Sequence, residues 1–156
     1  HKGDVLMKKI VKVTSVILVF VMILATLTSC SSKYSSLRKA FEKEGYAENT
    51  TFTGIANTIK EELGKEDYAV ELHLLTKSNG ITSALVIEFK STKEMAKAFN
   101  ESETLQGLTK DISKNEDVNK VYNALKDAGY AAGNCLVVPI SLLYTNEITN
   151  IVKSVK

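Results

Sequence analysis

Two runs with alternating apolar residues, 68–76 and 81–90, flank Asn79-Gly80. An Asn-Gly pair in that setting is a strong short-range signal for an antiparallel hairpin. With Asn79 and Gly80 as a two-residue turn, Leu74 faces Leu85, Leu72 faces Ile87 and Val70 faces Phe89, all on one side of the ribbon. A slip of one residue would send this whole set to the other side, so the apolar pattern supports the register it assumes. The pairing predicts Leu72, Leu74, Leu85 and Ile87 buried, with Glu71, His73 and Glu88 more exposed on the opposite face.

Most other segments read as amphipathic helices. Leu37, Ala40 and Phe41 are helically spaced and Gly45 is placed to end their helix. Ile55, Ile59 and Leu63 recur every four residues, between a Thr53 cap and a Gly64 stop. Ser91-Thr92-Lys93-Glu94 is a capping box opening a helix with Met95, Ala98 and Phe99 on its inner side. Leu105, Leu108 and Ile112 extend it after a break. Val118, Val121, Tyr122 and Leu125 precede Gly129, and Ile148, Ile151, Val152 and Val155 repeat the stripe near the C-terminus. Residues 134–140 (NCLVVPI) form a third, nearly all-apolar strand whose Pro139 belongs at an edge or at the strand's end. A weak fourth strand is read at residues 50–53. The fold class is α+β: a small antiparallel sheet, hairpin plus third strand, with helices covering its apolar face.

Phe41 to Ala47 and Leu125 to Ala131 echo one another, each placing Gly-Tyr four and five residues after a large apolar side chain. Duplication is one account. The simpler one is a helix-ending Schellman turn used twice, with the tyrosine packing back on Phe41 or Leu125.

The N-terminal region carries a different kind of signal. Lys8, Lys9 and Lys12 follow Met7, and the stretch Val13 to Leu27 holds no charge. Its 15 residues suit a signal-peptide core better than the ~20 that a spanning helix needs. HKGDVL does not fit this layout, and Met7 reads as the biological start. Leu27-Thr28-Ser29-Cys30 resembles the lipobox of bacterial lipoprotein precursors: an aliphatic residue, two small residues and a cysteine. That resemblance implies diacylglycerol (with acyl chains such as palmitate) on the Cys30 thiol and cleavage just before it. It divides the chain into signal peptide 1–29, lipidated Cys30 with a short tether to residue 36, and one domain over 37–156. The alternative reading is an uncleaved anchor with an incidental Cys30. Both place the domain on the extracytoplasmic side of the cell membrane. Two acyl chains suffice for a stable tether.

The full chain has a formal net charge of +2, with 20 basic and 18 acidic residues. Residues 1–29 contain four of the basic and one of the acidic residues, which leaves 16 and 17, a net −1, over the remaining 127 residues. The basic excess belongs to the signal, and a nucleic-acid partner is not indicated.

Chemistry-bearing residues are sparse. Beyond Cys30 there is one cysteine, Cys135, in an apolar strand that suits a small buried hydrophobe. His73 is the one histidine in that region. The chain has no GxGxxG, GK[ST], HExxH or GxSxG pattern, and no cofactor is implied. One constellation stands out: Glu71 opposite Glu88, with His73 on the same face and Lys90 diagonal to Glu71. Two carboxylates and an imidazole suit a divalent cation or a proton shuttle. The plainer account is a solvated face neutralised by His73 and Lys90, and it predicts no specific metal site. The hydroxyl-rich Asn49-Thr50-Thr51-Phe52-Thr53 reads as a loop bonding its own backbone. The sequence thus predicts a membrane-anchored lipoprotein that binds or scaffolds, with an envelope protein as its candidate partner; the rival is a small envelope hydrolase using carboxylates.

Overall fold

A computed structural model describes residues 33–140 and 142–155. The lipobox and the apolar segment before it lie outside the described residues. Among those described, no helix is long and apolar enough to cross a membrane. The elements run α1 (33–43), β1 (Tyr46–Asn49), α2 (Gly54–Lys65), β2 (Glu71–Lys77), β3 (Ser83–Glu88), α3 (Thr92–Glu101), α4 (Glu103–Gly107), α5 (Val118–Ala128), β4 (Ala131–Ala132), β5 (Cys135–Pro139) and α6 (Thr145–Ser154). The α+β class holds, with the strands in one antiparallel sheet of order β1-β2-β3-β5-β4.

The hairpin keeps the register read from its apolar pattern: Leu72 pairs with Ile87, Leu74 with Leu85 and Glu71 with Glu88. Its turn differs. Lys77 N–H donates to the Thr82 carbonyl at 2.8 Å, closing a four-residue loop over 78–81. Gly80 N–H donates to the Lys77 carbonyl at 2.9 Å, and Gly80 itself is left-handed at φ +73°. The Asn79 side-chain oxygen accepts from the N–H groups of Ile81 and Thr82 at 2.9 and 3.1 Å. A two-residue loop and a four-residue loop centred on the same point give the same pairing, so the longer turn leaves every side chain on its expected face.

Both faces of the sheet are covered, which corrects the expectation of a single apolar face. Leu85, Ile87, Leu136 and Val138 pack with Ile59, Leu63, Met95, Phe99, Leu105, Val121 and Leu125 from α2 to α5. On the other side Leu75, Ala84, Val86, Cys135 and Val137 pack with Leu37 and Phe41 of α1 and Ile148, Ile151 and Val152 of α6. Strand β3 alternates between the two cores, and Ala84, Leu85, Val86 and Ile87 are all inaccessible to solvent.

Several boundaries also move. Residues 33–36, expected as tether, are the first described turn of α1. The extra strand is at Tyr46–Asn49, whereas residues 50–53 lie in a loop. Helix α2 runs past Gly64 to Lys65, and Asp67 takes the left-handed conformation at φ +57°. Ile55 is exposed at the flank of the stripe, while Ala56 joins Ile59 and Leu63 in the interior. Ile112 lies beyond the end of α4. Ser91 caps α3 as expected, its hydroxyl accepting from Glu94 N–H at 3.1 Å. Pro139 occupies the last position of β5, where its missing N–H costs no ladder bond with β4.

Both echoed segments end a helix and lead into an edge strand. At the second, Tyr130 N–H donates to the Leu125 carbonyl at 2.8 Å and Gly129 N–H to that of Lys126 at 3.0 Å, the paired bonds of a Schellman turn. At the first, Gly45 N–H donates to Glu42 at 3.1 Å, and the Phe41 and Tyr46 rings meet edge-on at 5.1 Å. Gly45 and Gly129 have φ near +85°, but their surroundings differ. A Cβ on Gly129 would stand 2.6 Å from the Thr149 carbonyl oxygen of α6, whereas one on Gly45 would meet only the Ser78 hydroxyl, at 3.9 Å. Gly129→Ala combines backbone strain with a backbone clash and should cost about 2–4 kcal/mol. Gly45→Ala, with strain alone, should cost about 1–2 kcal/mol. The urea midpoints of the two variants check this order.

Candidate functional site

Four ionisable side chains form a row on the sheet face beneath α1: Glu48 of β1, Glu71 and His73 of β2, and Glu88 of β3. Antiparallel pairing puts Glu71 opposite Glu88, and His73 lies two residues along from Glu71 on the same face. His73 sits at the centre. Its Nε2 is 3.1 Å from Glu88 Oε2 and 3.9 Å from Glu71 Oε2, and its Nδ1 is 3.4 Å from Glu48 Oε1.

Helix α1 supplies the roof. The Tyr34 ring stacks on the His73 imidazole with centroids 3.6 Å apart and planes 16° from parallel. The Tyr34 hydroxyl donates to Glu48 Oε1 at 3.1 Å, and Arg38 Nη1 approaches Glu48 Oε2 at 3.1 Å while its Nε bonds Glu42 at 2.8 Å. The expectation that Glu71, His73 and Glu88 share a solvated face is therefore corrected for two of them. The side chains of His73 and Glu88 are only 16% and 14% exposed, against 78% for Glu71. The cause is α1, which begins early enough to lay Tyr34 over the row.

Burial by itself would raise the Glu48 pKa. The hydrogen bonds from Tyr34 and His73, with the Arg38 and His73 charges, outweigh it and hold the carboxyl below the ordinary glutamate value. Burial and the neighbouring Glu48 push the Tyr34 phenol well above its usual value, so it stays a hydrogen donor at neutral pH.

Cys135 lies beside Glu88 across the β3–β5 pairing and is fully buried, as its apolar strand predicts. Burial, reinforced by the Glu88 charge and only partly offset by Lys33, pushes its thiol up to about 12. A thiol in that state is not a nucleophile at neutral pH. The Asn49 loop behaves as read: its side-chain oxygen accepts from Thr51 N–H at 2.9 Å, and Phe52 packs against the core.

Tyr34, Arg38 and Glu48 are site residues that the sequence reading missed. Tyr34 stands three residues before Leu37 and seven before Phe41, so the helical stripe already contained it. Grooves lie elsewhere, among them one of about 620 Å³ between α1 and α6 and one of about 610 Å³ beside α5 and β4, and neither of these is lined by Glu71, His73 or Glu88. Comparison with family models, curated proteins and solved structures returns no match.

Two measurements check this description. Iodoacetamide should leave Cys135 unlabelled in the folded protein at pH 7 and label it in denaturant, read by intact mass. For Glu48, a lowered pKa means stabilisation that is present at neutral pH and lost as pH falls below about 4. In chelator-treated protein, Glu48→Gln should thus be less stable than the parent at pH 7, with the gap closing towards pH 3. Urea midpoints at the two pH values read the gap.

Proposed function

We propose that this chain is a bacterial lipoprotein precursor. On this reading its domain is held at the extracytoplasmic face of the cell membrane by a diacylglyceryl group on Cys30, and it acts there by binding or scaffolding. The observation that carries the reading is the ordered set of Lys8 and Lys9, the uncharged Val13–Leu27 core and Leu27-Thr28-Ser29-Cys30. The compact unit Lys33–Lys156 is consistent with it, because its cores draw on residues from Leu37 to Val152. Two residues, Ser31 and Ser32, separate Cys30 from that unit.

The state of the imidazole and the thiol favours a binding role over nucleophilic catalysis by those two groups. Both nitrogens of His73 face carboxylates and one face of its ring is covered by Tyr34. The Cys135 thiol is buried and protonated. Among the described residues, the Cys135 thiol is thus unsuited to act as a nucleophile with His73 as its base.

Mass spectrometry of protein extracted from membranes tests the anchor. The expected mature chain begins at Cys30 carrying diacylglycerol, and the Cys30→Ala precursor should stay uncleaved. A peptide running unmodified through Ser29 and Cys30 would overturn the lipoprotein reading.

A further inference from the structure

We propose that Glu71, His73 and Glu88 bind a first-row divalent transition ion, with Zn²⁺ as the representative case. This goes beyond the anchoring role and does not depend on it. It also departs from the metal-free site that the sequence alone suggests.

The donor geometry comes first. One ligand atom from each of the three side chains lies within 4.8 Å of the other two. Metal–nitrogen and metal–oxygen bonds of about 2.0–2.2 Å put ligand atoms on a tetrahedral ion roughly 3.4 Å apart. The two separations from His73 Nε2, 3.1 Å to Glu88 and 3.9 Å to Glu71, bracket that value. The adjustment falls on Glu71, the most exposed of the three. The strand pairing fixes the other two on adjacent central strands, so most of the site is held by the sheet.

The surroundings of His73 fit a ligand better than a surface ion pair. A metal-binding imidazole commonly gives its second N–H to a carboxylate, which fixes the tautomer and leaves the other nitrogen free to coordinate. Glu48 stands at Nδ1 in that role, and Arg38 and Tyr34 in turn hold Glu48 in place. The stacked Tyr34 ring restrains rotation of the imidazole. In the state a metal requires, with a proton on Nδ1 alone, the Nε2 lone pair would point towards two carboxylates that also oppose each other across the strands. Like charges so placed repel. A cation among the three atoms turns both unfavourable contacts into bonds.

Donor type sets the ion class. An imidazole nitrogen beside carboxylates favours zinc and its first-row neighbours over magnesium or calcium, which prefer all-oxygen shells. Three protein ligands leave a fourth position on the solvent side, next to the exposed Glu71. The site is thus suited to an exchangeable ion or to an ion that accepts a further ligand.

The test is zinc titration of the full chain in detergent after chelator treatment, with isothermal calorimetry and thermal unfolding as readouts. One zinc per chain is expected, with a raised unfolding temperature. Because His1 and Cys30 elsewhere in the chain also have donor atoms, the variants decide the assignment. His73→Gln should abolish uptake at this site, and Glu88→Gln and Glu71→Gln should each weaken it at least tenfold. Glu48→Gln should weaken it by about 10–100-fold without removing a ligand. Should the buried positions unfold when changed, Glu71→Gln, at an exposed side chain, still tests the proposal. Excess Mg²⁺ should not displace the zinc. Zinc uptake unaffected by Glu71→Gln would overturn the assignment, and so would the absence of one-to-one uptake. A third contrary result would be an NMR spectrum at pH 7 with protons on both His73 nitrogens in the presence of zinc. Displacement by Mg²⁺ at comparable concentration would overturn the ion class.

Discussion

Strand β3 is buried on both faces, and the layout of the domain follows from that. Leu85 and Ile87 turn to one helix layer while Ala84 and Val86 turn to the other, with β2 and β5 hydrogen-bonded on either side. Fully burying a side chain such as Leu, Ile or Val contributes about 1.5–3 kcal/mol, and this short strand carries three of them. A sheet built around such a strand needs apolar cover twice. Helices α2 to α5 supply it on one face and α1 with α6 on the other. The sandwich brings segments from opposite ends of the chain onto one surface.

Helix α1 serves two purposes. Leu37 and Phe41 close the second core, while one turn earlier Tyr34 and Arg38 reach the ionisable row of the sheet. Around α6 a comparable linkage forms: the Lys77 ammonium bonds Glu147 and lies over the Tyr46 ring, whose hydroxyl also donates to Glu147 at 3.3 Å. Apolar packing thus holds the helices on the sheet, and the polar contacts at its margin align them. Because the row of carboxylates and His73 sits under α1, its geometry depends on the same helix that protects the core.

Much of this was legible in the residues. The hairpin register followed from apolar alternation, since a one-residue slip breaks the agreement that puts Leu72, Leu74, Leu85 and Ile87 on one face. The Ser91 cap and the paired glycine turns were also readable, because each depends on local chemistry. The second helix layer was harder, although its signal was present. Ala84 to Ile87 and Cys135 to Val138 are unbroken apolar runs, the mark of strands buried on both faces. Gly133-Asn134 likewise had the composition of a tight hairpin turn, and it joins β4 to β5. The stacking of Tyr34 on His73 could not be read in the same way. It depends on how α1 crosses the sheet, with the Lys33 stem lying against Gly133, and periodicity gives the side of a helix without its position over a neighbour.

The margins of the sheet carry one more consequence. An unpaired strand offers its free N–H and C=O groups as a template on which other chains can add. Here one margin is a four-residue strand carrying Glu48, and the other is two residues long. Past the end of β4, the strand behind it finishes at Pro139, which has no N–H to offer. Neither side presents a long, flat ladder to an incoming chain. A small domain with an otherwise strongly apolar sheet interior thereby limits its tendency to polymerise through that sheet, even where many copies crowd together.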